Sequence, residues 1–182
     1  MKTLASICLV LAFASGASAD FRAGVEAYQL GHDATALQEF WTLALQGHRG
    51  AQFNLGVLYA KGRGVPQDFN RAAHWYRMAA EQGHTLAQCN LGVLYEKGEG
   101  VAQSDAEAIH WYRLSAEQGN SGGQNNLGRM YEEGRGVPRN AGEALMWYRK
   151  AAMQGNVQAQ GNLARMSDEG SAGQHERTVS RQ

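Results

Sequence analysis

Apolar positions recur along most of the chain at the spacing of amphipathic helices, and the whole pattern returns every 36 residues. Three copies align without gaps and begin at Ala51, Ala87 and Gly123. A fourth, partial copy begins at Ala159. A period of this length is typical of proteins built from stacked helix pairs, because one pair cannot bury its apolar face alone.

Each copy contains two helical patterns, here called helix A and helix B, which cover 51–61 and 69–82 in the first copy. The repeated apolar face of helix A carries Ala51, Leu55, Leu58 and Tyr59, and that of helix B carries Ala72, Trp75, Tyr76, Ala79 and Ala80. Large aromatic side chains alternate with alanines, which predicts interdigitating helices. We expect the Trp-Tyr pairs at 75–76, 111–112 and 147–148 to contribute most to stability.

Glycines and polar residues mark the expected helix ends. Helix-breaking residues separate helix A from helix B, and in the first copy these are Gly62, Gly64 and Pro66. Left-handed glycines are expected after helix B at Gly83, Gly119 and Gly155, and N-caps at Asn70, Asp105 and Asn140. Glycine also recurs inside helix A at Gly56, Gly92 and Gly128. Because glycine destabilises a helix interior by about 1 kcal/mol, its presence there predicts a close helix crossing.

The predicted organisation extends the repeats at both ends. A helix pair with helices at 21–30 and 33–46 occupies 20–50. Three repeats follow at 51–86, 87–122 and 123–158, then a capping helix at 159–170. The last segment, 171–182, is polar and predicted to be disordered. This gives about nine helices.

The first nineteen residues have the pattern of a secretory signal peptide. Lys2 supplies a positive charge, 4–13 is apolar, and Ala17-Ser18-Ala19 fits a small-x-small cleavage site. The apolar run is shorter than the roughly 20 residues that span a bilayer. We therefore expect cleavage after Ala19, a periplasmic or secreted protein, and no integral membrane segment after cleavage.

Charge and cysteine content narrow the classes of partner. The chain has 17 basic and 17 acidic residues and no clustered basic stretch, which argues against nucleic acid and anionic lipid as partners. Cys8 lies in the predicted signal peptide, so Cys89 would be the sole cysteine of the mature protein. An intramolecular disulfide is then impossible.

Together, the repeated residues resemble the signature of the Sel-one-like repeat family, relatives of tetratricopeptide repeats. The residues that carry the resemblance are Ala51, Leu55-Gly56, Tyr59, Gly62-Arg63-Gly64-Val65, Ala72, Trp75-Tyr76, Ala79-Ala80 and Gly83, and it extends over 51–169. The resemblance implies an all-α fold, a right-handed α-solenoid of helix pairs, with 20–50 as a tetratricopeptide-like pair. It also implies that the second face of each helix A lines a concave groove.

Residues on that second face differ from copy to copy, so packing does not dictate them. We predict that they bind a partner protein or peptide. The candidate residues are Phe53, Val57, Lys61, Cys89, Val93, Lys97, Asn125, Arg129, Glu132 and Arg165. The first half of the groove is apolar, which predicts an apolar partner side chain near Phe53 and Val93, and an acidic partner group is expected near Arg129 and Arg165. The alternative is a solvated face with scattered apolar residues.

The remaining polar residues suggest structural roles. Glutamine recurs at 52, 88, 124 and 160 and asparagine at 54, 90, 126 and 162, which indicates hydrogen bonding between helices. The histidines lack metal-ligand spacing, and His74 and His110 are expected on the outer surface. We therefore predict no catalytic residues, no metal site and no cofactor.

The sequence thus favours a non-catalytic adaptor or regulator over two alternatives. Some cysteine-rich members of the resembled family carry paired cysteines in each repeat, and penicillin-binding or β-lactamase activity has been proposed for them. Here Phe53 and Asn125 stand where such cysteines would recur, which argues against a wall-related hydrolase. A peptidoglycan or glycan binder is the other alternative. The partner's identity and the oligomeric state are left open by the sequence.

Overall fold

The computed structural model describes residues 20–179, with side chains for residues 20–168, and this part of the chain is all helical. Its helices are α1 (Phe21–Gln29), α2 (Asp33–Leu45), α3 (Arg49–Lys61), α4 (Phe69–Glu81), α5 (Thr85–Lys97), α6 (Asp105–Glu117), α7 (Ser121–Glu133), α8 (Ala141–Met153) and α9 (Val157–Val179). Each helix packs mainly against its neighbours in sequence, which defines an all-α repeat array. The predicted signal peptide lies outside the described residues.

The helix bounds differ from the predicted ones mainly at the ends. The helices A of the three full repeats are α3, α5 and α7, and each begins two residues earlier than the alignment of copies indicated. The last helix continues to Val179, nine residues beyond the capping helix predicted at 159–170. None of the described helices is both long and apolar enough to cross a membrane.

The helix starts are fixed by one capping residue at each repeat position. Asp68, Ser104 and Asn140 cap α4, α6 and α8 by accepting a hydrogen bond from the backbone N–H three residues on. Asn140 was predicted, but the predictions of Asn70 and Asp105 were wrong because those residues lie inside the first helical turn. The glycines expected after helix B adopt the left-handed conformation, with φ values of 77°, 90° and 82° at 83, 119 and 155.

The glycine inside each helix A allows the tyrosine of helix B to approach its backbone. A Cβ atom added to Gly56, Gly92 or Gly128 would lie 2.4, 2.7 or 2.9 Å from the ring of the tyrosine at 76, 112 or 148. Real Cβ atoms do not come that close to another heavy atom, so the predicted close crossing is confirmed. These three tyrosines are at most 4% exposed. Trp75 and Trp147 are also buried, whereas Trp111 is half-buried.

A glutamine ladder ties successive repeats together, as the sequence predicted. The Nε2 atoms of Gln52, Gln88 and Gln124 each donate to a backbone carbonyl of the preceding helix B at 3.1 Å. Their Oε1 atoms accept from Gln82, Gln118 and Gln154 at 2.7–2.8 Å. Because these three buried glutamine amides are paired in the same way in each repeat, they stabilise the array.

Candidate partner-binding surface

Three sequence positions on the exposed side of helix A contain the candidate residues, and we call them the first, second and third rows. The first row is Phe53, Cys89 and Asn125, and the second row is Val57, Val93, Arg129 and Arg165. The third row is Ala60, Glu96 and Glu132, with Lys61 and Lys97 beside it at the helix ends. The N-terminal pair extends this register, because Gly24 approaches Phe40 as Gly56 approaches Tyr76. Phe21, Val25 and Tyr28 therefore precede the three rows.

The first row becomes more polar and more buried along the array. The Phe53 ring stacks on His84, with centroids 4.5 Å apart, and also contacts the ring of Tyr76 at 5.9 Å. Asn125 is only 4% exposed, and its Oδ1 accepts a hydrogen bond from Asn162 at 3.1 Å. Asn125, one of the candidate partner-binding residues, therefore has little surface for a partner, because its amide is enclosed between helices.

Cys89 also belongs to the first row, and its thiol is largely shielded from solvent. Burial raises its pKa to about 11, although a hydrogen bond from Asn126 acts in the opposite direction. The Asn126 Nδ2 atom lies 3.9 Å from the sulfur. A thiol with so high a pKa carries little thiolate near neutral pH, so it is a poor nucleophile.

Two histidines connect the first row to the helix starts. His48 and His84 cap α3 and α5, and their Nδ1 atoms accept from the backbone N–H of Ala51 and Ala87 at 3.1 and 3.3 Å. Burial, together with the nearby charge of Arg49, lowers the pKa of His84. An accepting Nδ1 requires the neutral imidazole, so this cap is weakened by protonation.

The second row is apolar in its first half and ion-paired in its second half. The Val57 and Val93 side chains are half-buried. Arg129 places Nη2 at 2.8 and 2.6 Å from the two carboxylate oxygens of Glu96. Arg165 likewise contacts Glu132 at 2.6 Å, so the two arginines that were predicted to meet an acidic partner group each already pair with a carboxylate of the array.

Glu96 is the centre of the largest polar cluster on this surface. Its carboxylate accepts from Tyr112 Oη at 2.7 Å and from Arg135 Nη1 at 2.8 Å, in addition to Arg129. Arg135 in turn contacts Asp105 at 2.6 Å. Burial alone would raise the pKa of Glu96, but the hydrogen bonds from Arg129, Tyr112 and Arg135 outweigh it and lower that pKa.

The ion pair between Arg135 and Asp105 was not predicted from the sequence. A signal was present, because Arg63 and Asp33 occupy the same repeat positions and also form an ion pair. Opposite charges that recur together at a fixed spacing indicate such a contact. At the far edge of the surface, Lys61 and Lys97 are exposed, and the Lys97 Nζ lies 3.8 Å from Glu99.

Several ionisable side chains of the described residues pair with one another within the array. Among the described residues, no group of three or more His, Cys, Asp or Glu side chains is arranged to hold a metal ion. Their charged clusters are already paired within the array, as in the Glu96 cluster.

Fold and surface together define an α-solenoid repeat protein with a variable helix-A face. The Sel1 repeat model matches residues 50–84, 85–120 and 121–156. The chain belongs to the Sel1 repeat family. No curated protein sequence matches it significantly.

Solved structures are similar over most of the chain. A protective antigen of uropathogenic Escherichia coli with an SLR fold is 41% identical, with a TM-score of 0.77 over 84% of this chain and 34% of that one. A Sel1 repeat protein from Oxalobacter formigenes is 38% identical, with a TM-score of 0.78 over 83% of this chain and 62% of that one. This chain therefore spans less than two thirds of either relative.

A third structure supports the fold alone. Helicobacter pylori cysteine rich protein B is 21% identical, with a TM-score of 0.58 over 71% of this chain and 96% of that one. The described residues of the present chain contain one free cysteine, Cys89. The likeness therefore extends to the helix array and not to a cysteine framework.

Proposed function

We propose that this protein is an exported, non-catalytic scaffold that binds a segment of a partner protein on the apolar half of its helix-A face. The observation that carries the proposal is that equivalent repeat positions hold charged side chains in the later repeats and apolar side chains in the earlier ones. The pairs Glu96–Arg129 and Glu132–Arg165 are ionic, whereas Ala60 and Val93 occupy the same positions one repeat earlier. The apolar half lacks such a cross-repeat ion pair, although the repeat can accommodate one.

Neighbouring side chains enlarge this apolar half. Phe53 and Val57 are half-buried, so each presents part of an apolar surface to solvent. Phe21 and Val25 extend the same rows onto α1. Apolar area that remains accessible beside an ion-paired area favours a partner with apolar side chains at this place. Members of repeat families commonly use such continuous surfaces for protein binding.

Site-specific photo-crosslinking in cells tests this assignment. A photoreactive amino acid at position 57 is expected to give a discrete crosslinked product, whereas the same residue at the exposed position 110 on helix B is expected to give none. Products of equal intensity from both positions, or from neither, would contradict the proposal.

A double variant provides the matched control. Ala60→Glu with Val93→Arg introduces the ion pair that the next two repeats already contain. We expect the fold to be retained and the crosslink at position 57 to be lost, because the apolar surface becomes charged. A persistent crosslink in a folded double variant would show that the partner does not use this surface.

Export is proposed from the signal-like sequence of residues 1–19. Fractionation of cells that express the full chain is expected to yield a processed protein whose N-terminal residue is Asp20. Retention of Met1 or Lys2 in a cytoplasmic fraction would remove this part of the proposal without affecting the binding surface.

A further inference from the structure

A recess of about 410 Å³ lies between the starts of α3 and α5, beside the first row. Its walls include Phe21, His48, Arg49, His84, Thr85 and Leu86. The Leu86 side chain is 50% exposed, although it is a large aliphatic group. The recess therefore combines an accessible apolar wall with one guanidinium group.

The charge within the recess is of one sign. None of its lining residues is acidic, and α3 and α5 have no acidic residue in their first turns. The Arg49 Nη1 atom contacts the Gln82 carbonyl at 3.4 Å, and a guanidinium has five N–H donors. His48 and His84 already accept from a backbone N–H at each helix start, so Arg49 and the apolar wall are the groups of the recess that can contact a ligand.

The repeat itself does not require this combination of side chains. The position of Arg49 is filled in the later copies by Thr85, Ser121 and Val157. The position of Leu86 is filled in the other copies by Gly50, Gly122 and Gln158. The ring contacts of Phe21 with His48 and of Phe53 with His84, with centroids 4.6 and 4.5 Å apart, are likewise confined to this end of the described array. Asn120 and Asn156 replace the histidines later, beside Cys89 and Asn125. Packing leaves these positions free to serve recognition.

We propose that this recess binds a carboxylate adjacent to an aliphatic side chain, with Arg49 contacting the carboxylate and Leu86 and Phe21 contacting the aliphatic group. The carboxylate belongs to either a peptide C-terminus or an aspartate or glutamate side chain. The inference rests on the proposed function, because it names a feature of the segment that the adjoining apolar half would hold. Charge complementarity supports it, since the exposed cations Arg49 and Lys61 border that half.

An NMR titration of the purified protein tests the inference with three defined probes. They are N-acetyl-leucyl-leucine, its C-terminal amide, and N-acetyl-leucyl-aspartic acid amide. We expect saturable shifts of the Gly50, Gly83 and Thr85 amide signals with at least one acid probe, and about fivefold weaker binding of the uncharged amide. The tighter of the two acid probes identifies the source of the carboxylate.

Variants assign the contacts. Arg49→Gln is expected to reduce the affinity for the acid probe to that for the uncharged amide, and Leu86→Gln to weaken all three probes. Arg149→Gln makes the same charge change on the exposed surface of α8 and is expected to leave binding unchanged. Equal affinities for the acid and amide probes, or no saturable shift of the Gly50, Gly83 and Thr85 amide signals, would overturn the inference.

The outcome is separable from that of the proposed function. Loss of the crosslink from position 57 in the Ala60→Glu, Val93→Arg variant, with probe binding intact, would support both. If Arg49→Gln left the binding of the acid probes unchanged, the carboxylate site in the recess would be rejected and the scaffold proposal would be unaffected. Probe binding without a partner crosslink would leave the recess assigned and the scaffold proposal rejected.

Discussion

Replacement of Glu96 by glutamine should be the most destabilising conservative change on the helix-A face. The Glu96 side chain is 14% exposed and accepts from Tyr112, Arg129 and Arg135. Glutamine keeps its size but removes the charge and turns one acceptor into a donor that faces a guanidinium. Two arginines then lose their shared carboxylate.

The magnitude follows from the burial of the partners. Removing one member of a buried ion pair costs about 3–5 kcal/mol. Arg129 and Arg135 are 28% and 31% exposed, so water recovers part of that loss. We expect Glu96→Gln to reduce the free energy of unfolding by about 2–3 kcal/mol, a large fraction of the roughly 5–15 kcal/mol typical of a folded domain.

Glu132→Gln is the matched comparison. Glu132 occupies the same repeat position and accepts from Tyr148 at 2.7 Å, but its ion-pair partner Arg165 is 47% exposed. An exposed pair contributes about 1 kcal/mol or less. Urea unfolding monitored by tryptophan fluorescence at pH 7 should therefore show a larger fall of the midpoint for Glu96→Gln than for Glu132→Gln, with similar slopes.

Acid titration of stability provides an independent readout. Because the folded-state pKa of Glu96 is lowered, its contribution is present above the unfolded-state pKa of about 4.3 and is lost as the pH falls through the folded-state value. The Glu96→Gln variant should have a flatter stability curve over that acid range. Equal destabilisation by the two glutamine variants, or identical acid profiles for wild type and Glu96→Gln, would refute the reasoning.

Three further outcomes are expected. Gly92→Ala should lower the free energy of unfolding by about 1–3 kcal/mol, because its Cβ would meet the Tyr112 ring at 2.7 Å, whereas Gly161→Ala, with open space around its Cβ, should be neutral or stabilising in the same thermal melt. The wild type should lose stability below about pH 6.5, and His84→Asn should remove that loss. Burial lowers the folded-state pKa of His84, so the stability that the neutral imidazole contributes is present above its unfolded-state pKa and is lost as the pH falls through the folded-state pKa. Coincident pH profiles for wild type and variant would contradict this. The purified protein should give no sustained nitrocefin turnover, because burial raises the pKa of Cys89 to about 11 and leaves little thiolate to act as a nucleophile. Turnover that Cys89→Ala abolishes would contradict this expectation.

The repeat pattern predicted the fold because every level of the sequence agrees with it. Alanine and tyrosine at fixed spacing specify the packing face of helix B, and the buried Tyr76, Tyr112 and Tyr148 confirm it. The glycines opposite them predicted the close crossing. Such local signals are readable because each of them is repeated three times at the same spacing.

The capping predictions show where local reasoning fails. Asn70 and Asp105 are residue types that often cap helices. The caps of α4 and α6 are nevertheless Asp68 and Ser104, which occupy the same repeat position as Asn140, the cap of α8. Register across repeats was the better guide here. The ion pair between Arg135 and Asp105 was also within reach of that argument, since Arg63 and Asp33 repeat it.

The sequence by itself determined the helix pairs, their period, their packing faces and the glutamine ladder, since these depend on residues that recur in register in every copy. Only the tertiary structure decided which polar groups of the helix-A face are available to a partner. Arg129 meets Glu96 across 33 residues, and Asn162 meets Asn125 across 37. Electrostatic pairing depends on distance in space, so a cation that looks available in the sequence is neutralised once neighbouring repeats stack.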